Sequence, residues 1–356
     1  FLLAGVLALA LIAGYRTHIV SVLCWLMLVS LNQRNLTITQ TSDTLMLSLL
    51  FWSLFLPLGA RYSVDAALNR TPIAERTVCS PASAALVLQV LYVYFFGALL
   101  KVGDSWMVTG DAVHRALHFS HYVSPLGAWL GEALPPSALR GLTYYTWYIE
   151  LYGPILVLLP FYNARIRAVI VPALMLLHVG FALFLRVGIY PYLSLTSLLL
   201  LIPSEFWERC RARLATPERE GVTMYYDEPC EFCYKTCRLL RTFLLLETTP
   251  IRPAQKDPAV HELMQTHNSW VVEDYDGKRY VRWTAMVVLF RRSWLLAPVA
   301  GLLASAPLVA LGESFYGWVA ANRESMGRVT ARLLPWKSFG TGQGILTQTV
   351  VAGLLV

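Results

Sequence analysis

Apolar residues come in long unbroken blocks up to position 203 and in shorter runs beyond it. The blocks fall at 1–14, 18–31, 45–58, 81–100, 143–162, 166–185 and 188–203, separated by polar connections such as "GARYSVDAALNRTPIAER" and "DSWMVTGDAVHRALHFSHY". Such blocks read as membrane spans, because about 20 apolar residues in a helix cover a bilayer core. The shorter ones read as truncated or tilted spans. From 222 the pattern changes. Val222 to Tyr226 reads as a strand closed by the turn Asp227-Glu228-Pro229, and "EFCYKTCRLLRTFLLLE" as a helix. "TPIRPAQK" reads as a second strand and "DPAVHELMQTH" as a helix. Trp270–Glu273 and Arg279–Trp283 flank the turn signal Asp276-Gly277 as a hairpin, and helical patterns follow at 284–300 and 313–333.

The expected architecture is an α-helical multi-pass membrane bundle of about seven spans joined to a small α/β thioredoxin-like domain. The boundaries read as 1–205 for the membrane domain, 206–221 for a linker, 222–340 for the redox domain and 341–356 for an apolar tail. The tail's uncharged stretch from 344 is too short to span; lying on the membrane surface and packing on the spans both stay open.

Composition sharpens this picture. The chain has 356 residues, 56% hydrophobic and 14% charged, with a net charge of +7. The arginines sit between apolar blocks, so the basic excess points to membrane topology and not to nucleic acid, which is not an expected partner. Connections after odd-numbered blocks hold Arg16, then Arg61, Arg70 and Arg76, then Arg165 and Arg167, then Arg209, Arg211 and Arg213. Those after even-numbered blocks hold Arg34, Lys101 and Arg186, with Arg115 and Arg140 in the long loop. The positive-inside bias then puts the C-terminal half on the cytoplasmic face of a bacterial-type inner or plasma membrane. The sequence starts inside an apolar run without Met, which leaves room for a signal peptide or an earlier span.

The candidate chemistry centres on Cys230 and Cys233. A Cys-x-x-Cys pair between a strand and a helix N-terminus is the sequence form of a thiol–disulfide redox site. The unpaired amides and positive dipole end of the first turn stabilise a thiolate. Cys230 reads as the attacking thiolate and Cys233 as the resolving thiol. Thiols on the cytoplasmic face are kept reduced, which favours a redox or metal role over a structural disulfide. Asp227 has two readings: a proton acceptor for the resolving thiol, or a residue that caps the helix or shapes the turn. Cys237 reads as a buried core thiol or a backup resolving cysteine.

A zinc site of Cys230, Cys233 and Cys237 lacks a clear fourth ligand, with His261, His267 or Cys210 the nearest candidates. His114, His118 and His121 recur at roughly helical spacing with no carboxylate or Cys to complete a set, so no metal is expected. In the apolar half, Lys101, Glu150, His178 and Asp43 lie within or beside the blocks. Ionisable groups at that depth are costly and mark functional candidates. Their plain alternatives are a buried carboxylate paired with an arginine for Glu150, a hydrogen-bonded core histidine for His178, and a snorkelling Lys101.

Two resemblances follow from these stretches. "SLNQRNLTITQTSDTLMLSLLFWSLFLPLGARYSVDAAL", "YVYFFGALLKVGDSWMVTGDAV", "YIELYGPILVLLP" and "LLHVGFALFLRVGIYPYLSL" resemble the HTTM family, membrane domains related to vitamin K-dependent gamma-carboxylase. The resemblance covers roughly 1–205 and implies that Lys101 is the counterpart of the lysine that acts as the base in vitamin K hydroquinone oxidation. Asp227, Cys230 and Cys233, with "DGKRYVRWTAMVVLF" and "FYGWVAANRESMGR", resemble the DCC family of thiol–disulfide oxidoreductases over about 221–330. Glu228 stands where that family has Gly, and Trp283-Thr284 where it has a polar pair. Glu228 adds negative charge beside Cys230 and is expected to slow thiolate attack.

The expected function is a membrane-bound thiol–disulfide oxidoreductase acting on protein or small-molecule thiols and disulfides. Dithiol exchange itself needs no cofactor. A quinone held near Lys101, Glu150 and His178 is the candidate cofactor of the apolar half, with the lipid bilayer as its surroundings. One alternative is a carboxylase-like, quinol-oxidising enzyme with Lys101 as base. Another is a non-catalytic membrane assembly or docking protein.

Overall fold

The computed structural model describes residues 1–34, 39–71 and 77–337. The expected tail at 341–356, and Arg76 of the charge comparison, lie outside the described residues. The chain opens with α1 (Leu2–Ala13), α2 (Thr17–Arg34), α3 (Thr41–Ser53), α4 (Val64–Ala67) and α5 (Pro81–Leu99). Then come α6 (Asp104–Met107), α7 (Ala112–His118), α8 (Pro125–Ala133), α9 (Pro136–Val157), α10 (Asn163–Phe184), α11 (Tyr190–Leu198), α12 (Ser204–Leu214) and α13 (Pro217–Glu220). The rest runs β1 (Thr223–Tyr226), α14 (Glu231–Phe243), β2 (Ile251–Pro253), α15 (Pro258–His267), β3 (Val271–Glu273), β4 (Arg279–Val281), α16 (Arg282–Arg292), α17 (Ala297–Leu303), α18 (Ala306–Ala321) and α19 (Arg323–Leu333).

Contacts divide these elements into two compact units that interleave along the sequence. A helical unit takes the described parts of 25–56 and 77–209, and a sheet-containing unit those of 1–24, 57–76 and 210–356.

In the helical unit α9 packs on α5 and α10, and α11 on α10. Its core is Val90, Leu91, Tyr94, Val157, Val171, Leu174, Leu198 and Leu201. The helix starts are written locally. Ser80 and Ser83 form a reciprocal capping box around Pro81 at the head of α5. Asp43 accepts the Gln40 amide at 2.8 Å, capping α3. That is its place in the structure, away from the polar groups described below.

The expectation of about seven spans is corrected here. Two described helices, α5 and α10, are long and apolar enough to cross a membrane, or three if α17 and α18, bent by 88° at their junction, count as one broken span. The reason is length and pattern. At about 1.5 Å per residue a helix needs about 20 residues to cover a bilayer core. The block at 1–14 folds into 12 helical residues, that at 45–58 into a helix of 13, and that at 188–203 into Tyr190–Leu201. α9 is long enough, but Arg140, Thr143, Thr146 and Glu150 interrupt its apolar pattern. The charge comparison that oriented the chain needs seven alternating spans, and it is withdrawn with them.

In the sheet-containing unit the four strands lie in the order β2-β1-β3-β4. β1 is parallel to β2 (Met224 beside Ile251) and antiparallel to β3 (Met224 beside Val272), and β3 is antiparallel to β4 (Val272 beside Tyr280). The strand–helix–strand–helix–hairpin–helix order expected from the sequence is the order observed. Side chains alternate across the sheet. Met224 and Val272 join Cys237, Leu244, Trp270 and Leu289 on one side, while Tyr225 and Val271 join Val260 and Met264 on the other. The hairpin turn is held by Arg292 of α16, whose Nε and Nη2 donate to the buried Asp274 carboxylate at 2.9 and 2.7 Å. That bidentate pair raises the Arg292 pKa above its ordinary value.

Helix α18 packs on α16 at Gly312, beside Glu313, which accepts the Trp283 N–H at 3.1 Å. A Cβ built on Gly312 would lie 2.0 Å from the Trp283 ring. The Trp283 indole is fixed in place, donating to Leu303 O at 3.2 Å. Gly312→Ala is therefore expected to cost about 1–3 kcal/mol through overpacking. Gly317→Ala on the same helix meets nothing within 4 Å and is expected to be neutral or stabilising by up to about 1 kcal/mol. Thermal unfolding of the two variants side by side checks the contrast.

Candidate functional site

The site is built at the junction of β1 and α14. Cys230, in extended backbone conformation, is the N-cap of α14, and its Sγ accepts the Cys233 N–H at 3.1 Å. A sulfur thus takes the place that a Ser or Asp oxygen usually holds at a helix start. Cys230 and Cys233 are joined as a disulfide with Cα atoms 5.2 Å apart, inside the range such bonds require. The pair is half-buried. A bonded pair at a helix N-cap is a thiol–disulfide redox site: on reduction, the amide that now meets the sulfur stabilises a Cys230 thiolate.

The turn before the pair is fixed from two directions. Cys230 N–H donates to Asp227 O at 2.9 Å. Gln255 clips the turn with both ends of its amide: Nε2 donates to Asp227 Oδ1 at 2.7 Å and Oε1 accepts the Glu228 N–H at 3.2 Å. Helix capping therefore falls to Cys230, while the Asp227 carboxylate takes Gln255 and lines, with Cys233 and Cys237, a cavity of about 580 Å³. Gln255 was not legible as a site residue. Its signal was topological: Tyr226 is in register with Pro253, so residues just past the parallel strand β2 sit beside the turn that follows β1.

The rest of α14 is anchored on both sides. Cys237 is 1% exposed within the core, and burial pushes its thiol up to about 12. On another face the Trp336 ring gathers Arg70, Lys235 and Arg238 at 5.0, 5.3 and 5.6 Å from its centroid. The Trp336 indole donates to Glu231, which lies between the two cysteines. Arg238 Nη2 donates to Asn69 O at 2.7 Å, and Lys337 pairs with the buried Asp65. No sequence pattern pointed to Trp336, because its partners lie far away along the chain.

The sequence candidates of the apolar half form a second assembly, within the helical unit. Lys101, just past the end of α5, pairs with Glu150 of α9, and its ammonium lies 5.2 Å from the Trp106 ring centroid. Glu150 is within electrostatic reach of Tyr94 on α5 and Tyr190 on α11. Tyr94 Oη and His178 Nε2 share a hydrogen bond of 2.8 Å, and the His178 ring sits 5.6 Å from that of Tyr190. Lys101 is thereby paired with Glu150, and His178 with Tyr94 and Tyr190, two tyrosines among 18 that no sequence pattern singled out.

The histidines are placed otherwise. His114 and His118 stack at 4.0 Å with His118 Nδ1 on the His114 carbonyl. Among the described residues no group of three His, Cys, Asp or Glu is arranged to hold a metal. Comparison with family models, curated proteins and solved structures finds no match to this chain.

The contrast between Cys230 and Cys237 gives a pH prediction. After reduction, iodoacetamide at pH 8 is expected to label Cys230 in the folded protein and to leave Cys237 unmodified until the chain unfolds. The buried Cys237 thiol keeps its proton above its ordinary value of 9.0. Its contribution to stability is thus full below about pH 9 and lost as the pH rises towards about 12, because the unfolded thiol deprotonates first. Unfolding curves of Cys237→Ala and the parent across that window check the sign: the parent loses its advantage as pH rises.

Proposed function

We propose that the chain is a thiol–disulfide oxidoreductase whose working pair is Cys230 and Cys233. The observation that carries this reading is the pair's position, bonded to each other at the N-cap of α14 with the Cys233 amide on the Cys230 sulfur. In the reducing direction the Cys230 thiolate attacks one sulfur of a substrate disulfide. A mixed disulfide forms and the other substrate sulfur leaves as a thiol after taking a proton. Cys233 loses its proton and attacks the Cys230 sulfur, which re-forms the Cys230–Cys233 bond and releases the second substrate thiol. Asp227, in the cavity wall with Cys233, is the acceptor this reading assigns to the Cys233 proton. The resemblance to the DCC family points the same way, as does the HTTM resemblance to a membrane setting, with α5 and α10 as the helices that would cross.

The test is trapping. Cys233→Ser is expected to accumulate a mixed disulfide on Cys230, visible by mass. Cys230→Ser is expected to abolish exchange with a small disulfide such as hydroxyethyl disulfide. A phenotype unchanged by both substitutions would move the protein to the docking reading.

A second reading is favoured by the Lys101–Glu150–Tyr94–His178 assembly. It is a carboxylase-like, quinol-oxidising site in which Lys101 acts as base and Glu150 sets its charge environment. It predicts that Lys101→Ala abolishes quinol turnover, whereas Cys230→Ser merely slows it; a quinol oxidation assay on both variants decides.

A further inference from the structure

The cavity behind the dithiol has a composition that the exchange reaction alone does not require. Its walls are aromatic and thioether side chains, among them Phe232, Trp270, Met286, Trp318 and Met326, and its charged members are Asp227 and Arg323. The polar groups in the wall are largely spent on the protein itself. The Thr236 and Thr330 hydroxyls donate to Phe232 O and Met326 O, and the Asn322 amide donates to Trp318 O. Ser269 donates to Trp270 O and accepts the Arg282 N–H. A polypeptide substrate would bring backbone amides that this wall leaves unanswered, at a cost for each. An apolar molecule with one or two acceptor oxygens would not. The volume of about 580 Å³ lies within the usual range for small-molecule sites, roughly 300–1,000 Å³.

The way in is apolar too. Phe315 and Trp318 of α18 line the cavity and are 58% and 54% exposed. The exposed apolar surface continues onto Leu302 and Leu311 of the bent α17–α18 pair. This pair has the length and apolar composition of a broken span. A lipid surface is its natural environment, with Arg291 and Arg328 close by in sequence as partners for headgroups.

We propose that this cavity binds a lipid-soluble quinone, delivered through the exposed α17–α18 surface and placed to exchange two electrons with the Cys230–Cys233 pair. This rests on the dithiol reading above, but sets the quinone beside Cys233 and not beside Lys101. The step balances. The two cysteine S–H bonds break and one S–S bond forms; two electrons and two protons pass to the quinone oxygens, giving the quinol. Run backwards, a quinol reduces the disulfide. Arg323, the cation in the wall, spends Nη2 on Asn268 O and the Tyr316 hydroxyl and has its other guanidinium N–H groups to donate to a quinone oxygen, while Asp227 is the group able to relay the Cys233 proton.

The test uses the full chain in lipid nanodiscs, reduced and then mixed with either decylubiquinone or hydroxyethyl disulfide. Disulfide formation is read by alkylation and mass shift. Both oxidants are expected to work on the parent. Met326→Trp and Val319→Phe, which fill the cavity, are expected to slow the quinone reaction by at least about tenfold while leaving the disulfide reaction within about twofold. Oxidation by the disulfide but not by the quinone would overturn the proposal and leave thiol exchange standing. Oxidation by neither would overturn the dithiol reading itself, and this proposal with it. A quinone response that survives both cavity variants but disappears in Lys101→Ala would place the quinone elsewhere and overturn the site. Equal loss of both oxidants in both cavity variants would also overturn it, since nothing would then tie the cavity to the quinone.

Discussion

The first turn of α14 is the constraint on which the redox site depends. Its amides need an acceptor, and the sequence supplies a sulfur: Cys230 Sγ takes the Cys233 N–H at 3.1 Å. Using the reactive atom as the cap couples helix formation to redox chemistry, because the interaction that starts the helix is the one that holds a thiolate. A cap of this kind has value only if the helix start stays in place. The Gln255 amide fixes the turn ahead of it. Behind it Cys237 is locked into the core on one face, and the cations around Trp336 hold another.

Burial then separates two thiols one helical turn apart. Cys233 is half-buried at the cavity wall, while Cys237 is sealed in the core with its thiol pushed up to about 12. Both line the same cavity, yet at neutral pH only a group at the helix head gains the thiolate character that exchange requires. Of the two readings open for Cys237, its burial and raised pKa favour the core thiol over a backup resolving cysteine.

Local signals made the sheet-containing half legible. The Asp276-Gly277 turn, the strand before Cys230 and the helical patterns each act over a few residues and give the order of elements along the chain, whereas the β2-β1-β3-β4 order rests on pairings between distant residues. The site's outer parts were not legible for the opposite reason. Gln255 reaches Asp227 across a parallel strand pair, and Trp336 reaches Lys235 from about a hundred residues away. The apolar half failed at a different level. A hydrophobic block shows that a segment is buried, whether in protein or in lipid, and its length then has to decide between the two. The folded lengths of α1, α3 and α11 fall short of blocks that were already short for a span, because the chain leaves the helix at Gly14 and Leu54 and enters it only after Ile189.

The polar residues of that half are placed in pairs. Lys101, Glu150 and His178 were singled out because ionisable groups in apolar surroundings carry a solvation cost that calls for a partner. The partners are there: the Lys101–Glu150 pair, and the Tyr94 hydroxyl for His178. His178 Nδ1, however, is buried without a hydrogen-bond partner. Such pairs are also found in a purely structural polar core, so they do not by themselves make the assembly catalytic. The cavity beside Cys233 differs in that respect. The Thr236 and Thr330 hydroxyls and the Asn322 amide are turned back onto their own helices, and Ser269 and Tyr316 onto neighbouring backbone, which leaves a largely apolar volume with one carboxylate and one guanidinium in the wall. An apolar cavity beside a redox-active bond gains stability by taking a ligand that fits it, and this is the ground on which a lipid-soluble electron carrier is proposed for the dithiol cavity.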